Sequence, residues 1–227
     1  MNLNTKVVIF DLDETLGYFT ELGIFCDCLN NYYDSKNYSN IYFNEILDLF
    51  SEFLRPKIIK ILEYLVLKKK QNKCTKVMIY TNNQGLKSWS NNIKEYFDYK
   101  LKYKLFDQVI AAFKVNGKKV EMNRTTHDKT VNDFVKCTKL PKDIEICFID
   151  DQYHPQMHDD NVYYIYIKPY HYDIFFDDMI QRYLKSNLGS KIKNVNDCIV
   201  SMKNHYNLYN YSFIPKTKEE YEIDEIV

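Results

Sequence analysis

The sequence predicts an α/β fold built on a parallel central sheet, and three observations carry that expectation. Short apolar runs at Lys6–Asp11, Thr75–Thr81 and Glu145–Asp150 each stop abruptly on a polar residue. Segments with helical spacing separate these runs, and strands that alternate with helices pair in parallel through right-handed crossovers. The first run, V-V-I-F-D-L-D-E-T-L over Val7–Leu16, ends in two aspartates one residue apart, with Thr15 two positions further on.

Lys6–Asp11 is the first strand. Gly17–Asn40, rich in Tyr and Asn, reads as a loop or a short hairpin. Ile41–Phe53 has helical spacing through Ile46, Leu47, Leu49, Phe50 and Phe53. Pro56 opens a second helix, a position where its missing N–H costs little. Ile58, Ile59, Ile61, Leu62, Leu65 and Val66 supply that helix's apolar face. Thr75–Thr81 is the second strand and Gly85–Lys104 the next helix. Asp107–Phe113 reads as a strand, and Asn116-Gly117 predicts a β-hairpin over Ala111–Met122. Lys129–Thr138 is a helix, and Glu145–Asp150 a strand that runs into Asp150-Asp151. Val162–Ile167 is a further strand and Ile174–Leu184 a further helix. The charged, acidic end, Lys216–Val227, predicts a mobile tail. The expected organisation is one domain over residues 1–205, with small inserts near 17–40 and 111–122 and a tail over 206–227.

The 227 residues suit one well-packed domain, and 45% hydrophobic with 27% charged residues is ordinary for a globular chain. Lys+Arg and Asp+Glu total 31 each, so no net charge marks the chain for nucleic acid or a membrane surface. No stretch approaches the roughly 18 apolar residues of a transmembrane helix. Met1–Lys6 is polar and runs straight into the first strand, leaving no room for a signal peptide. The expectation is an intracellular protein, cytoplasmic or nuclear. Its six cysteines, Cys26, Cys28, Cys74, Cys137, Cys147 and Cys198, are then expected to be reduced. Cys26-x-Cys28 lacks the spacing of a zinc knuckle. The 21 tyrosines, with many Asn and Lys, are what an AT-rich genome such as that of a parasite or a large DNA virus encodes, and they say nothing about chemistry.

Residues i and i+2 of a strand point the same way, so Asp11 and Asp13 are expected to face one spot at the sheet edge, with Glu14 pointing away. Two carboxylates crowded there repel each other unless a cation or a shared proton relieves them, and Mg2+ is the first expectation. The strand ends bring Asp11 and Asp13, Thr81, and Asp150 with Asp151 to one edge of the sheet, where open α/β sheets place their chemistry. Lys129 opens the helix before the last of these strands. His154 and His158 have i, i+4 spacing, but Pro155 between them argues for a polar loop rather than a metal site. The tyrosines of Tyr163–Tyr166 and Tyr170–Tyr172 fit a half-buried strand better than a base-stacking platform.

F-D-L-D-E-T-L, I-Y-T-N-N and F-I-D-D resemble motifs I, II and IV of the haloacid dehalogenase superfamily of phosphohydrolases. Lys129 in T-H-D-K-T is similar to that superfamily's motif III lysine, and the resemblance runs from about Val7 to Leu184. D-L-D-E-T-L together with F-L-R-P-K-I (Phe53–Ile58) most resembles the branch of phosphatases acting on the RNA polymerase II C-terminal domain. The small Mg-dependent protein-tyrosine or sugar-phosphate phosphatases come next, since their motif IV also reads D-D. The resemblance implies a Rossmann-like three-layer sandwich with a small cap and a β-hairpin insert. It also implies a Mg2+-dependent phosphomonoester hydrolase that works through an aspartyl phosphate.

In that reading Asp11 is the nucleophile and Asp13 the general acid and base. Thr81 and Asn82 donate to the phosphoryl group, and Lys129 offsets the charge that builds on it. Asp11, Asp150 and the main-chain carbonyl of Asp13 hold Mg2+ through oxygen, with Asp151 one layer behind. Arg55 is a weaker candidate, placed at a helix start. A small cap leaves the site open, which favours a phosphoprotein substrate carrying phosphoserine or phosphothreonine. The alternatives are a phosphatase of nucleic-acid ends or small phosphoesters, and a non-catalytic binding module that keeps the fold.

Overall fold

In the computed structural model, which describes residues 5–35, 42–85, 87–214 and 216–226, the apolar runs form the centre of a sheet. Along the chain the elements are β1 (Lys6–Phe10), α1 (Thr20–Ser35), α2 (Phe43–Leu49), α3 (Ile58–Lys70), β2 (Lys76–Tyr80), α4 (Lys87–Leu101), β3 (Gln108–Ile110), β4 (Lys114–Val115) and β5 (Lys118–Lys119). They continue with α5 (Val131–Thr138), β6 (Glu145–Asp150), β7 (Val162–Tyr166), α6 (Phe176–Lys185), α7 (Val195–Tyr206) and α8 (Lys218–Ile226). Two compact units divide the chain: Met1–Gly17 with Lys57–Tyr170, and Tyr18–Pro56 with His171–Val227.

The first unit holds a five-stranded sheet in the order β3-β2-β1-β6-β7, parallel throughout. Its central strands need no polar alternation, because helices cover both faces. Val7, Ile9, Met78, Tyr80, Ile146 and Phe148 pack on one side with Phe134 and Cys137 of α5. Phe10 turns to the other side, where its ring centroid lies 6.4 Å from that of Phe106, which in turn meets Phe97 of α4.

From β1 the chain adds β2 and β3 on one side, then returns to add β6 and β7 on the other. The order therefore reverses between β1 and β6, and the crevice beyond their carboxyl ends is the natural ligand position of such a sheet.

Local sequence sets the details around that crevice. Thr130 caps α5 by accepting from the Asp133 amide at 2.9 Å, so the helix begins at Val131 and Lys129 stays in the loop before it. Asn116 and Gly117 take φ of 49° and 75°, as a tight hairpin turn requires. Strand pairing in this hairpin covers Lys114–Val115 with Lys118–Lys119, and the Val120 amide adds one bond to the Phe113 carbonyl at 3.0 Å, so the paired span of 113–120 falls inside the expected 111–122. Lys57 adopts a left-handed φ of 63°, so the helix expected from Pro56 opens at Ile58.

The second unit is helical, and here the sequence reading needs correction. The expected loop or hairpin over 17–40 is α1, whose Leu22, Phe25, Cys26 and Leu29 recur at i, i+3, i+4 and i+7 and are buried. Residues 36–41, the end of that expected loop and the first residue of the expected helix 41–53, lie outside the described residues. The rest of that helix is split into α2 and a 3₁₀ turn at Ser51–Phe53. α7, which no sequence signal flagged, packs on α1 with Cys198 and Met202 buried.

The expected mobile tail also has regular structure, as α8. Thr217 accepts from the Glu220 amide at 3.3 Å while Glu220 accepts from the Thr217 amide at 2.8 Å, a reciprocal capping box. Lys216 pairs with Asp224. The segment after Gly17 is thus part of a helical unit rather than a small insert. Among the described residues no helix is long and apolar enough to cross a membrane, and all six cysteines are free.

Candidate active site

β1 ends at Phe10, but the ladder continues one step further, because the Asp11 amide donates to the Ile149 carbonyl at 2.9 Å. This places Asp11 beside Asp150, the last residue of β6. The chain then leaves strand geometry. Glu14 takes φ of 60°, its amide donates to the Gly17 carbonyl at 2.7 Å, and its own carbonyl accepts from the Tyr170 amide at 2.8 Å. This turn, and not strand alternation, brings Asp13 to the same cleft as Asp11. It also turns Glu14 into the cleft wall, contrary to the expectation that Glu14 points away.

The cleft has a volume of about 170 Å³. Asp11, Asp13, Thr81, Asn82, Lys129 and Asp150, all expected at the site, line it together with Glu14, Asn83, Gln152 and His154. Lys129 is 2% exposed and donates to Asp11 Oδ1 at 2.5 Å and to Asp150 Oδ2 at 2.7 Å. The other Asp150 oxygen accepts from the Gln152 amide at 2.8 Å. Asp151, expected one layer back, offers an oxygen within 4.8 Å of those of Asp11 and Asp150, which lie as close to each other. Its Oδ1 accepts from the Thr15 hydroxyl at 2.7 Å, and its amide donates to the same hydroxyl at 3.2 Å. The Asp13 carboxyl group stands apart from this trio. Its Oδ2 accepts from Asn83 Nδ2 at 2.7 Å, and its buried Oδ1 has no partner among the described residues.

The opposite wall is made at the end of β2. The Thr81 hydroxyl, 1% exposed, accepts from the Asn83 amide at 2.9 Å and fixes the turn that carries Asn82 and Asn83. Asn82 Oδ1 accepts from Arg124 Nη2 at 2.8 Å. Arg55 belongs to the second unit and is not among the residues lining the cleft.

Burial and the neighbouring Asp11 charge push the Asp13 carboxyl up to about 7. Burial also raises Asp150, against the pull of the ammonium 2.7 Å away, and raises Asp151. For Lys129, burial works against the charge. Asp11 and Asp150 together outweigh it and hold the ammonium above the ordinary lysine value. His154 Nε2 lies 3.5 Å from Asp150 Oδ2, yet burial and the nearby Lys129 charge push the ring down to about 4. It is therefore a neutral imidazole at pH 7.

Three carboxyl groups in the trio share the single Lys129 ammonium, so oxygen donors are in surplus. Buried oxygen donors with that surplus can hold a metal ion, and a donor set of oxygen alone suits a hard divalent cation.

Sequence reasoning missed Asn83, His154 and Arg124. The first is the last residue of the recognised T-N-N segment, and its amide next to Asn82 was a readable signal. His154 follows the D-D pair by three residues but reads as loop. Arg124 had no local signal. Compared with protein-family models, curated proteins and solved structures, the chain matches none.

Proposed function

We infer that the protein is a Mg2+-dependent phosphomonoester hydrolase of the haloacid dehalogenase type. The observation that carries the reading is the seat of Lys129, which reaches Asp11 across 118 positions of sequence and Asp150 across 21. An ammonium shared by two strand-end carboxylates, at the point where strand order reverses, is costly to bury unless the site uses it.

In this mechanism an Asp11 carboxylate oxygen attacks phosphorus in line with the ester bond. That bond breaks as the P–O bond to Asp11 forms, and Asp13 gives its proton to the departing oxygen. A carboxyl raised to about 7 is suited to holding that proton near neutral pH. Water, deprotonated by Asp13, then cleaves the aspartyl phosphate, which releases inorganic phosphate and restores the Asp11 carboxylate. Lys129 offsets the charge that grows on the transferring group, and the Thr81–Asn82 wall orients its oxygens. Asp11, Asp150 and Asp151 would hold Mg2+, which supplies further stabilisation of the phosphoryl charge when bound.

The cleft's size supports a macromolecular substrate. Sites that enclose a whole small molecule run to roughly 300 Å³ or more, whereas about 170 Å³ accommodates a phosphoryl group and a cation with the rest of the substrate outside. A phosphorylated serine or threonine side chain fits that division. A small cap lends no support, because residues 20–35 are helical and belong to the second unit. The test is hydrolysis of para-nitrophenyl phosphate and of phosphopeptides with and without Mg2+. Turnover that requires Mg2+ and is lost in Asp11→Asn is the expected result. Turnover that persists in Asp11→Asn refutes the nucleophile, and absence of turnover on every ester refutes the activity.

A further inference from the structure

Arg124 is the largest of the fully buried side chains, and among the described residues no carboxylate pairs with it. A guanidinium is costly to bury, and an unpaired one is rarer still. Its Nη donors go elsewhere, and its buried Nε–H has no acceptor among the described residues. Nη1 donates to the carbonyls of Thr81 at 3.1 Å and Ala111 at 3.0 Å, at the ends of β2 and β3. Nη2 donates to Asn82 Oδ1 at 2.8 Å and to the carbonyls of His127 at 2.9 Å and Asp128 at 3.2 Å. The next residue is Lys129. One planar fork therefore joins the strand end that carries Thr81 and Asn82 to the loop that carries Lys129, and its face lies 4.8 Å over the Tyr80 ring. The far side of the loop is held as well, since Thr125 donates its amide to Asp133 at 2.7 Å.

The consequence lies in Asn82. A carboxamide has one accepting end and one donating end. With Oδ1 engaged by a full positive charge, a flip would set NH2 against the guanidinium. The end left for the cleft that Asn82 lines is the donor.

We propose that Arg124 is a positioning residue that locks the Asn82 amide with its NH2 toward the cleft and anchors the Lys129 loop. The Thr81–Asn82 wall thereby becomes an anion site for the phosphoryl oxygens, across from the acidic trio. This rests on the phosphatase reading above, but anion binding is measurable without turnover, so the two fail separately. A lysine at position 124 cannot reproduce the fork, and an apolar residue frees the amide to turn its oxygen on the anion.

The experiment measures inorganic phosphate binding by calorimetry on the full chain, with an unfolding curve for each variant. The variants are Asn82→Ala, Asn82→Asp, Arg124→Met and the double Arg124→Met/Asn82→Ala. Asn82→Ala and Arg124→Met are each expected to weaken phosphate by roughly 10-fold, the effect of one lost charge-assisted contact. The double variant should be no weaker than the weaker single one, because both act through the same amide. Asn82→Asp is the decisive variant, since its carboxylate can pair with Arg124 and keep the fold while turning an acceptor on the cleft. It should unfold no earlier than wild type and bind phosphate roughly 10- to 100-fold more weakly; it decides alone if Arg124→Met does not fold. Phosphate binding by Asn82→Asp within a few-fold of wild type overturns the proposal, as do additive losses in the double variant or a wild type that binds no phosphate. Phosphate binding that behaves as expected in a protein that hydrolyses no ester leaves the anion site standing and removes the phosphatase reading.

Discussion

Replacing Lys129 by Met keeps the length of the side chain and deletes its charge, which isolates what the ammonium does for the fold. Lys129 is 2% exposed, and the side chains of Asp11 and Asp150 are 11% and 0% exposed, so solvent screens little of the interaction. Deleting one partner of a buried ion pair costs about 3–5 kcal/mol, because the remaining charges stay buried and unpaired. Protonation of a carboxyl offsets part of this, since burial already favours the neutral form of Asp150. The expected loss is about 3 kcal/mol at pH 8 without divalent cation. The sign with pH follows from that proton. A carboxyl whose folded pKa rises above its unfolded value stabilises the fold at low pH and loses that contribution as pH rises. The deficit should therefore be small at pH 5 and full at pH 8. Urea unfolding followed by the fluorescence of Trp89, the single tryptophan and a residue of α4 in the same unit, reads this directly. Mg2+ at a hundred times the variant's Kd should stabilise the variant by about 2.7 kcal/mol, and wild type by less at the same concentration because its ammonium opposes the cation. A deficit under about 0.5 kcal/mol at both pH values, or one larger at pH 5, would refute the reasoning.

Other perturbations test the neighbouring residues. Asp13→Asn should lower kcat by roughly 100- to 10,000-fold on alkyl phosphates and much less on para-nitrophenyl phosphate, whose leaving group needs no proton. In wild type the alkyl rate should fall as pH rises through about 7, a limb that disappears in this variant. Thr15→Val removes the hydroxyl that serves both the Asp151 carboxylate and its amide; the Mg2+ concentration for half activation should rise roughly 10-fold. Glu21, 1% exposed in the second unit, accepts from the Ile174 amide at 2.8 Å, and burial pushes its carboxyl from 4.5 up to about 8. Because that pKa is raised on folding, stability falls between pH 4.5 and 8, and Glu21→Gln should gain about 1–3 kcal/mol at pH 7.5 but almost nothing at pH 4 in thermal melts.

The sheet was legible because its central strands are buried on both faces. Val7–Phe10 and Val77–Tyr80 are unbroken apolar runs, and the polar residue that ends each one marks the carboxyl edge. Those runs delivered Asp11 and Thr81, and Glu145–Asp150 delivered Asp150, to one cleft. The helical unit was hidden by composition. In α1 the four-residue apolar stripe sits among Asn, Asp and Tyr, and in α7 the buried stripe is only Cys198 and Met202. Asp13 reaches the expected cleft by a turn rather than by alternation, and Glu14 joins it there, because β1 ends at Phe10 and the chain after it obeys the left-handed φ at Glu14. Arg124 could not have been found at all. N-R-T-T-H-D reads as a polar loop, and the acceptors that justify burying it lie on β2, β3 and Asn82, up to 43 positions away.

The two walls of the cleft make opposite demands on a ligand. Asp11, Asp150 and Asp151, neutralised in part by Lys129, favour a cation, whereas the wall backed by Arg124 is the one proposed to take an anion. A module for divalent cations alone gains nothing from a buried guanidinium across the cleft, since like charges in a dry site repel. A site for anions alone gains nothing from three clustered carboxylates. The two walls are reconciled by a ligand that brings both charges together, as a phosphate ester with its metal ion does. The proposed chemistry then follows from the order of approach, with phosphorus placed between the Asp11 carboxylate that attacks and the Asp13 carboxyl that holds the proton for the leaving oxygen.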